Sequence, residues 1–192
     1  MIAAVLLGFV LGSIPFGLLL TRAAGLGDIR KTGSGNIGAT NVLRTGRKDI
    51  AAATLLLDGG KGAVAVLIAA AWAGQPGALL AGVAAVLGHC FSPWVGFKGG
   101  KGVATGAGTL LAWSWPAGLL CLAIWIAAAF GSKRSSVGAL AALTAAPVLL
   151  WLLTDRTTAL AGLVVSAVCI ARHHANIARL LAGTEPRIGQ KR

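Results

Sequence analysis

Long apolar runs separated by short polar connectors make up almost the entire chain. The first run, about Ile2 to Leu20, contains Pro15, a residue that kinks a membrane helix and is tolerated there because neighbours satisfy the freed carbonyls. Six more follow, at about Ile50 to Trp72, Ala78 to Val95, Val103 to Ala112, Ala117 to Phe130, Val137 to Leu153 and Ala159 to Ala171. Ala73-Gly-Gln-Pro-Gly77 reads as a turn between the second and third, and Trp113-Ser-Trp-Pro116 as an interfacial turn between the fourth and fifth. The pattern predicts an all-α integral membrane protein of about seven transmembrane helices, with residues 1–192 forming one polytopic membrane domain. Several runs are shorter than the roughly 20 residues that cross a hydrocarbon core. One long bent helix from Val103 to Phe130 would reduce the count to six.

Charge discriminates between the two counts. With seven helices, one side collects Arg22, Arg30, Lys31, Arg44, Arg47, Lys48, Lys98, Lys101, Lys133, Arg134, Arg172, Arg179, Arg187, Lys191 and Arg192, which is 15 of the 17 basic residues. Lys61 lies within a helix, and only Arg156 falls on the other side. The positive-inside rule makes the rich side cytoplasmic, so the N-terminus is expected outside and the C-terminus in the cytoplasm. Six helices would send Lys133, Arg134 and the basic tail outside, against the same rule.

Composition agrees with a membrane protein. The chain is 56% hydrophobic and 11% charged with a mean hydropathy of +0.81, whereas soluble domains carry roughly 25% charged residues. The net charge of +12 is spread over connectors and not gathered on a soluble face, so topology explains it and no nucleic-acid partner is expected. Cys90, Cys121 and Cys169 lack metal-ligand spacing and read as small apolar side chains, leaving no metal site. The first run has no basic n-region and no cleavage signature, and is expected to be a retained helix.

The candidate chemistry sits in three polar patches. Lys31 to Arg44 is the densest. Gly33, Gly35 and Gly38 permit tight turns and close approach to a ligand, Ser34, Asn36, Thr40 and Asn41 offer side-chain hydrogen bonds, and Arg44 adds a cationic fork. Gly33 to Gly38 matches G-x-G-x-x-G, but no strand precedes it and no βαβ unit surrounds it, which argues against a dinucleotide site. Gly-Gly-Lys-Gly occurs twice, at 59–62 and 99–102, and neither copy is a Walker loop. The second suits a phosphate, with N–H groups from Gly99 and Gly100 and a compact charge from Lys101. Lys61 is three residues from Asp58, on one helical face, where pairing and substrate contact are equally open. The third patch holds His173, Asn176 and Arg179 at helical spacing. Glu185 either orients a basic group or is a surface charge, and His89 is either structural or catalytic.

Taken together, residues 33–44, 88–105 and 172–185, with Gly12-Ser-Ile-Pro-Phe16 and Asp58-x-x-Lys-Gly62, resemble the bacterial acyl-phosphate-dependent glycerol-3-phosphate acyltransferases. The resemblance covers nearly the whole chain. It implies a multi-pass inner-membrane enzyme, active on the cytoplasmic side, that uses acyl phosphate and glycerol 3-phosphate with no cofactor and releases lysophosphatidic acid beside membrane lipid. Residue chemistry fits such a reaction. Arg44, Lys101 and Lys61 would bind phosphate with the two glycine loops, Ser34, Asn36 or backbone N–H groups would stabilise an oxyanion, and His173 held by Asn176 would act as base. A substrate phosphate taking the proton is the alternative. A transporter of an anionic phosphorylated metabolite is the competing class, although transporters place their polar groups near the midplane.

Overall fold

The computed structural model describes residues 1–188, so Lys191 and Arg192 of the charge count lie outside it. Its regular structure among the described residues is helical throughout. Helices α1 (Ile2–Ser13) and α2 (Phe16–Ala23) are separated at Pro15, as expected of the first run. A 3-10 turn at Ile29–Lys31 leads into the opening loop, which ends in the short α3 (Ala39–Leu43). Helix α4 spans Lys48–Cys90, and a 3-10 turn at Pro93–Val95 leads towards α5 (Val103–Trp113). Helices α6 (Trp115–Ser132), α7 (Ser135–Leu153), α8 (Arg156–Arg172) and α9 (His174–Leu181) complete the order.

Helix α4 is a hairpin. Gly74 adopts φ 60 and ψ −161, conformations closed to L side chains, and the helix direction breaks there. Lys61 and His89 then meet at 3.0 Å although 28 residues separate them, a span of about 42 Å in a straight helix. The turn expected at Ala73 to Gly77 is thus present, but a single glycine makes it and helical geometry resumes at once. Ser114 breaks the next run by adopting an extended conformation, and its hydroxyl caps α6 by accepting from the Ala117 N–H. Gly118 packs against the Leu111 backbone, so Val103 to Phe130 forms two helices folded together and not one bent helix.

Among the described residues four stretches are long and apolar enough to cross a membrane: Ile2–Ala23, Lys48–Val95, Trp115–Ser132 and Ser135–Leu153. A fifth is available if α8 and α9, bent by 61° at His173, count as one. Packing is that of a protein in lipid. The buried set is rich in Ala with Thr and Ser, whereas Leu56, Leu67, Val148, Leu152 and Phe130 point outwards. Without a hydrophobic force between helices in lipid, small residues bring backbones into contact. A Cβ on Gly8 or Gly12 would lie 2.1 or 2.0 Å from the Ala81 or Ala85 carbonyl oxygen, and one on Gly108 only 1.9 Å from that of Gly59. The first Gly-Gly-Lys-Gly therefore serves helix contact: Gly59 and Gly62 face Gly108 and Thr105 of α5.

Hydrogen bonds define the two ends of the bundle. At one end, Gln75 beside the α4 break donates to Asp155 at 2.7 Å and clips the hairpin to the α7–α8 turn. The other end carries the three polar patches.

Candidate active site

The opening loop is built around Asn41, which is only 2% exposed. Its amide nitrogen donates to the carbonyls of Ile29 (3.1 Å), Thr32 (3.0 Å) and Asn36 (2.8 Å). Its amide oxygen accepts from the Ser34 N–H at 2.9 Å and from the Arg44 guanidinium at 3.4 Å. The side chain is thereby committed to shaping the loop, and a Cβ on Gly33 would come within 2.4 Å of that oxygen. Asn36 accepts from the Gly38 N–H at 2.8 Å, which sets the start of α3. Ser34, Gly35 and Thr40 are exposed on the loop crest, with Gly38 and Arg44 half-buried beneath.

The second patch differs from expectation in one respect. The N–H groups of Gly99 and Gly100 donate to the carbonyls of Cys90 (3.2 Å) and His89 (3.0 Å), closing the end of α4. They are therefore turned into the fold and not offered to a phosphate. Glycine is required because a Cβ on residue 99 would lie 2.1 Å from the His89 oxygen, and one on residue 100 would lie 2.0 Å from His89 Nε2. Their carbonyls accept from Arg172, at 3.1 Å from Gly99 and 3.2 Å from Gly100. Lys101 extends from this turn towards α9, and its ammonium donates to Asn176 Oδ1.

Asn176 links Lys101 to Glu185. Its Nδ2 donates to Glu185 Oε1 at 2.6 Å, Ser136 donates to the same oxygen at 2.7 Å, and Arg179 donates to Oε2 at 2.6 Å. Glu185 is thus an orienting carboxylate, 8% exposed, and not a surface charge. Asn176 does not hold His173 as anticipated. The His173 ring instead bonds through Nδ1 to the Cys169 carbonyl at 2.7 Å. A carbonyl only accepts, so Nδ1 carries the proton and Nε2 keeps its lone pair, the tautomer a general base needs.

Electrostatics join the patches. Burial above all pushes the Lys101 ammonium down to about 8; Glu185 opposes that shift, and the fields of Arg179, Arg44 and Arg172 reinforce it. Three guanidinium groups from the first and third patches and one carboxylate thus act on Lys101, an excess of positive charge suited to phosphate.

Lys61 is placed elsewhere. Its ammonium donates to Asp58 (2.7 Å), to the Ile14 carbonyl (2.7 Å) and to His89 Nδ1 (3.0 Å), and stands 5.6 Å from the Phe16 ring centroid. All three N–H donors are engaged, so it pairs structurally and is not open to a substrate. The residues that sequence reasoning missed are Arg172 and Ser136. Arg172 carried a signal, since it opens the third patch; Ser136, in a connector of small polar residues, carried none.

Comparison with known proteins identifies the family. The family model of glycerol-3-phosphate acyltransferase matches residues 2–183. A glycerol-3-phosphate acyltransferase of Paramagnetospirillum magneticum is 56% identical over 192 residues, covering 100% of this chain and 96% of the relative. One from Cereibacter sphaeroides is 56% identical over 185 residues, covering 96% and 88%. The crystal structure of PlsY (YgiH), an integral membrane glycerol 3-phosphate acyltransferase, in its glycerol 3-phosphate form superposes with a TM-score of 0.93 at 36% identity, over 98% of this chain and 95% of that one. Its lysophosphatidic acid form gives a TM-score of 0.91 at 34% identity, with the same coverage. Sequence and fold agree over nearly the whole length, and the chain belongs to the glycerol-3-phosphate acyltransferase family.

Proposed function

We propose that the protein transfers a fatty acyl group from acyl phosphate to the 1-hydroxyl of glycerol 3-phosphate, giving lysophosphatidic acid and phosphate. The observation that carries this reading is the junction at Lys101, where Arg44, Arg172 and Arg179 from two other patches and the single carboxylate of Glu185 act on one ammonium, with a histidine of fixed Nε2 lone pair within the same field. Two phosphorylated substrates call for that surplus of donors. In the reaction, Arg44 and Lys101 hold the phosphates, and Ser34 on the loop crest, with the half-buried Asn36 amide near it, stabilises the carbonyl oxygen as it becomes anionic. His173 Nε2, or a substrate phosphate, takes the hydroxyl proton. The phosphate leaving from a mixed anhydride needs no strong acid.

The acyl chain has a path. An open apolar groove of about 810 Å³ runs along α7, lined by Val137, Leu140, Thr144 and Val148 and reaching Leu180 of α9, the helix that carries Asn176. The membrane arrangement is read as seven crossings: α1 with α2, the two arms of α4, then α5, α6, α7 and α8. The N-terminus lies outside, and the site and C-terminus face the cytoplasm, in the inner membrane of a bacterium. A transporter is disfavoured because the deep charges Asp58 and Lys61 satisfy each other.

Purified protein supplied with acyl phosphate and glycerol 3-phosphate should release lysophosphatidic acid and phosphate in equal amounts, whereas acyl thioesters should not replace the donor. Product from the thioester and none from acyl phosphate would overturn the donor assignment; product from neither would overturn the acyltransferase reading.

A further inference from the structure

The buried ionic cluster in the α4 hairpin is not used by the proposed chemistry, yet it touches the turn that presents Lys101. Asp58, Lys61 and His89 are 2%, 6% and 4% exposed. Lys61 bonds to both partners and to the Ile14 carbonyl at the break before α2, which also accepts from the Phe16 N–H. Because an ammonium only donates, His89 Nδ1 accepts, and the Nε2 edge carries the proton. That edge lies against Gly100, close enough that a Cβ there would be 2.0 Å away. The backbone of Gly100 is in turn bonded to the His89 carbonyl at 3.0 Å and to Arg172 at 3.2 Å. Gly100 has no side chain with which to fix itself, so its position is set by the ring beside it and by those two bonds.

We propose that His89, locked by Asp58 and Lys61, is a positioning residue: its ring forms the floor on which Gly100 rests and so aims the Lys101 ammonium at Asn176. A charged pair buried in a membrane segment is costly to keep, and fixing a ring at a joint between three helices gives that cost a purpose. The inference deepens the acyltransfer reading by adding the support beneath its phosphate-binding lysine. It acts on geometry, since none of the three side chains reaches Asn176 or the opening loop through any contact described above.

The test uses the full-length protein in detergent and reads Lys101 directly, without relying on turnover. Competitive acetylation with acetic anhydride across pH 6 to 11, followed by peptide mass spectrometry, gives the apparent pKa of Lys101. Facing it are Arg44 from the opening loop, Arg172 at the end of α8, Arg179 of α9, Glu185 and His173, none altered by the variants. In the wild type the midpoint should lie near the lowered value of about 8. In His89→Ala the turn relaxes, the ammonium gains water, and the midpoint should rise towards 10.5. In the same preparations kcat should fall about tenfold or more, as a displaced contact group requires, and His89→Gln, whose amide oxygen can accept from Lys61, should recover most of it. If His89→Ala does not yield folded protein, the double variant Asp58→Asn/Lys61→Met removes the lock while keeping the ring, and should show the same rise in midpoint. An unchanged Lys101 midpoint in whichever of the two variants folds would overturn the proposal. A wild type inactive with acyl phosphate would overturn the reaction and leave the labelling result to stand alone.

Discussion

Lys101 and Asn176, 75 residues apart in the chain, share a partly buried hydrogen bond from ammonium to amide oxygen. Burial, more than the neighbouring cations, lowers the Lys101 pKa to about 8, so the charge proposed to bind phosphate is present below that pH and lost above it. The plot of kcat/KM for glycerol 3-phosphate against pH should fall above about 8 with the slope of one proton. In Lys101→Arg, which stays charged, that limb should disappear even if the absolute rate drops.

Glu185 accepts from Ser136, Asn176 and Arg179. Burial raises its pKa, but these three bonds outweigh it and leave the carboxyl below its ordinary 4.5. Its contribution to stability is then fully present above 4.5 and lost as pH falls through the lower folded value. Glu185→Gln should cost about 3 kcal/mol at neutral pH, measured by thermal unfolding in detergent. The gap from wild type should close in acid.

Arg44 and Arg156 carry the same charge at opposite ends of the bundle, one at the end of α3 and the other at the start of α8. Arg44→Ala should raise KM for a phosphate substrate about tenfold or more. Steady-state kinetics of Arg156→Ala should stay within about twofold of wild type.

Gly108 and Gly60 are both glycines in or facing α4, but only Gly108 is pressed against a backbone oxygen. Gly108→Ala should therefore lower stability by about 1–3 kcal/mol through overpacking. Gly60→Ala, with nothing within 4 Å of the new methyl, should be neutral or slightly stabilising.

Thr144 lies midway along the groove on α7. Filling the groove with Thr144→Trp should shift use from long acyl phosphates to short ones by about tenfold, read as the ratio of kcat/KM for two chain lengths. An unchanged ratio would place the acyl chain elsewhere.

Much of this was readable from the chain. Hydropathy placed the helices within a few residues, and Pro15 marked the first break. The three patches were picked out by density of glycine, amide and cationic groups, and they do meet at one end. What could not be read was the destination of each donor. Lys61 looks as available as Lys101 until His89 and the Ile14 carbonyl come into view, the first brought back by the reversal at Gly74 and the second supplied by the end of α1. Gly99 and Gly100 look like a phosphate cradle in sequence, yet close packing against the end of α4 explains them. Asn176 was linked to its neighbour His173 by helical spacing, whereas its partners come from residues 101 and 185.

The tie between Glu185 and Ser136 also bears on biosynthesis. A chain emerging from the ribosome can insert its helices one after another, but Asn176 and Arg179 acquire their carboxylate only once residue 185 is free to fold back on the α6–α7 turn. Nascent chains stalled before that point would carry Asn176 and Ser136 without the carboxylate that accepts from both, so this end of the bundle is completed only by the last stretch to be made.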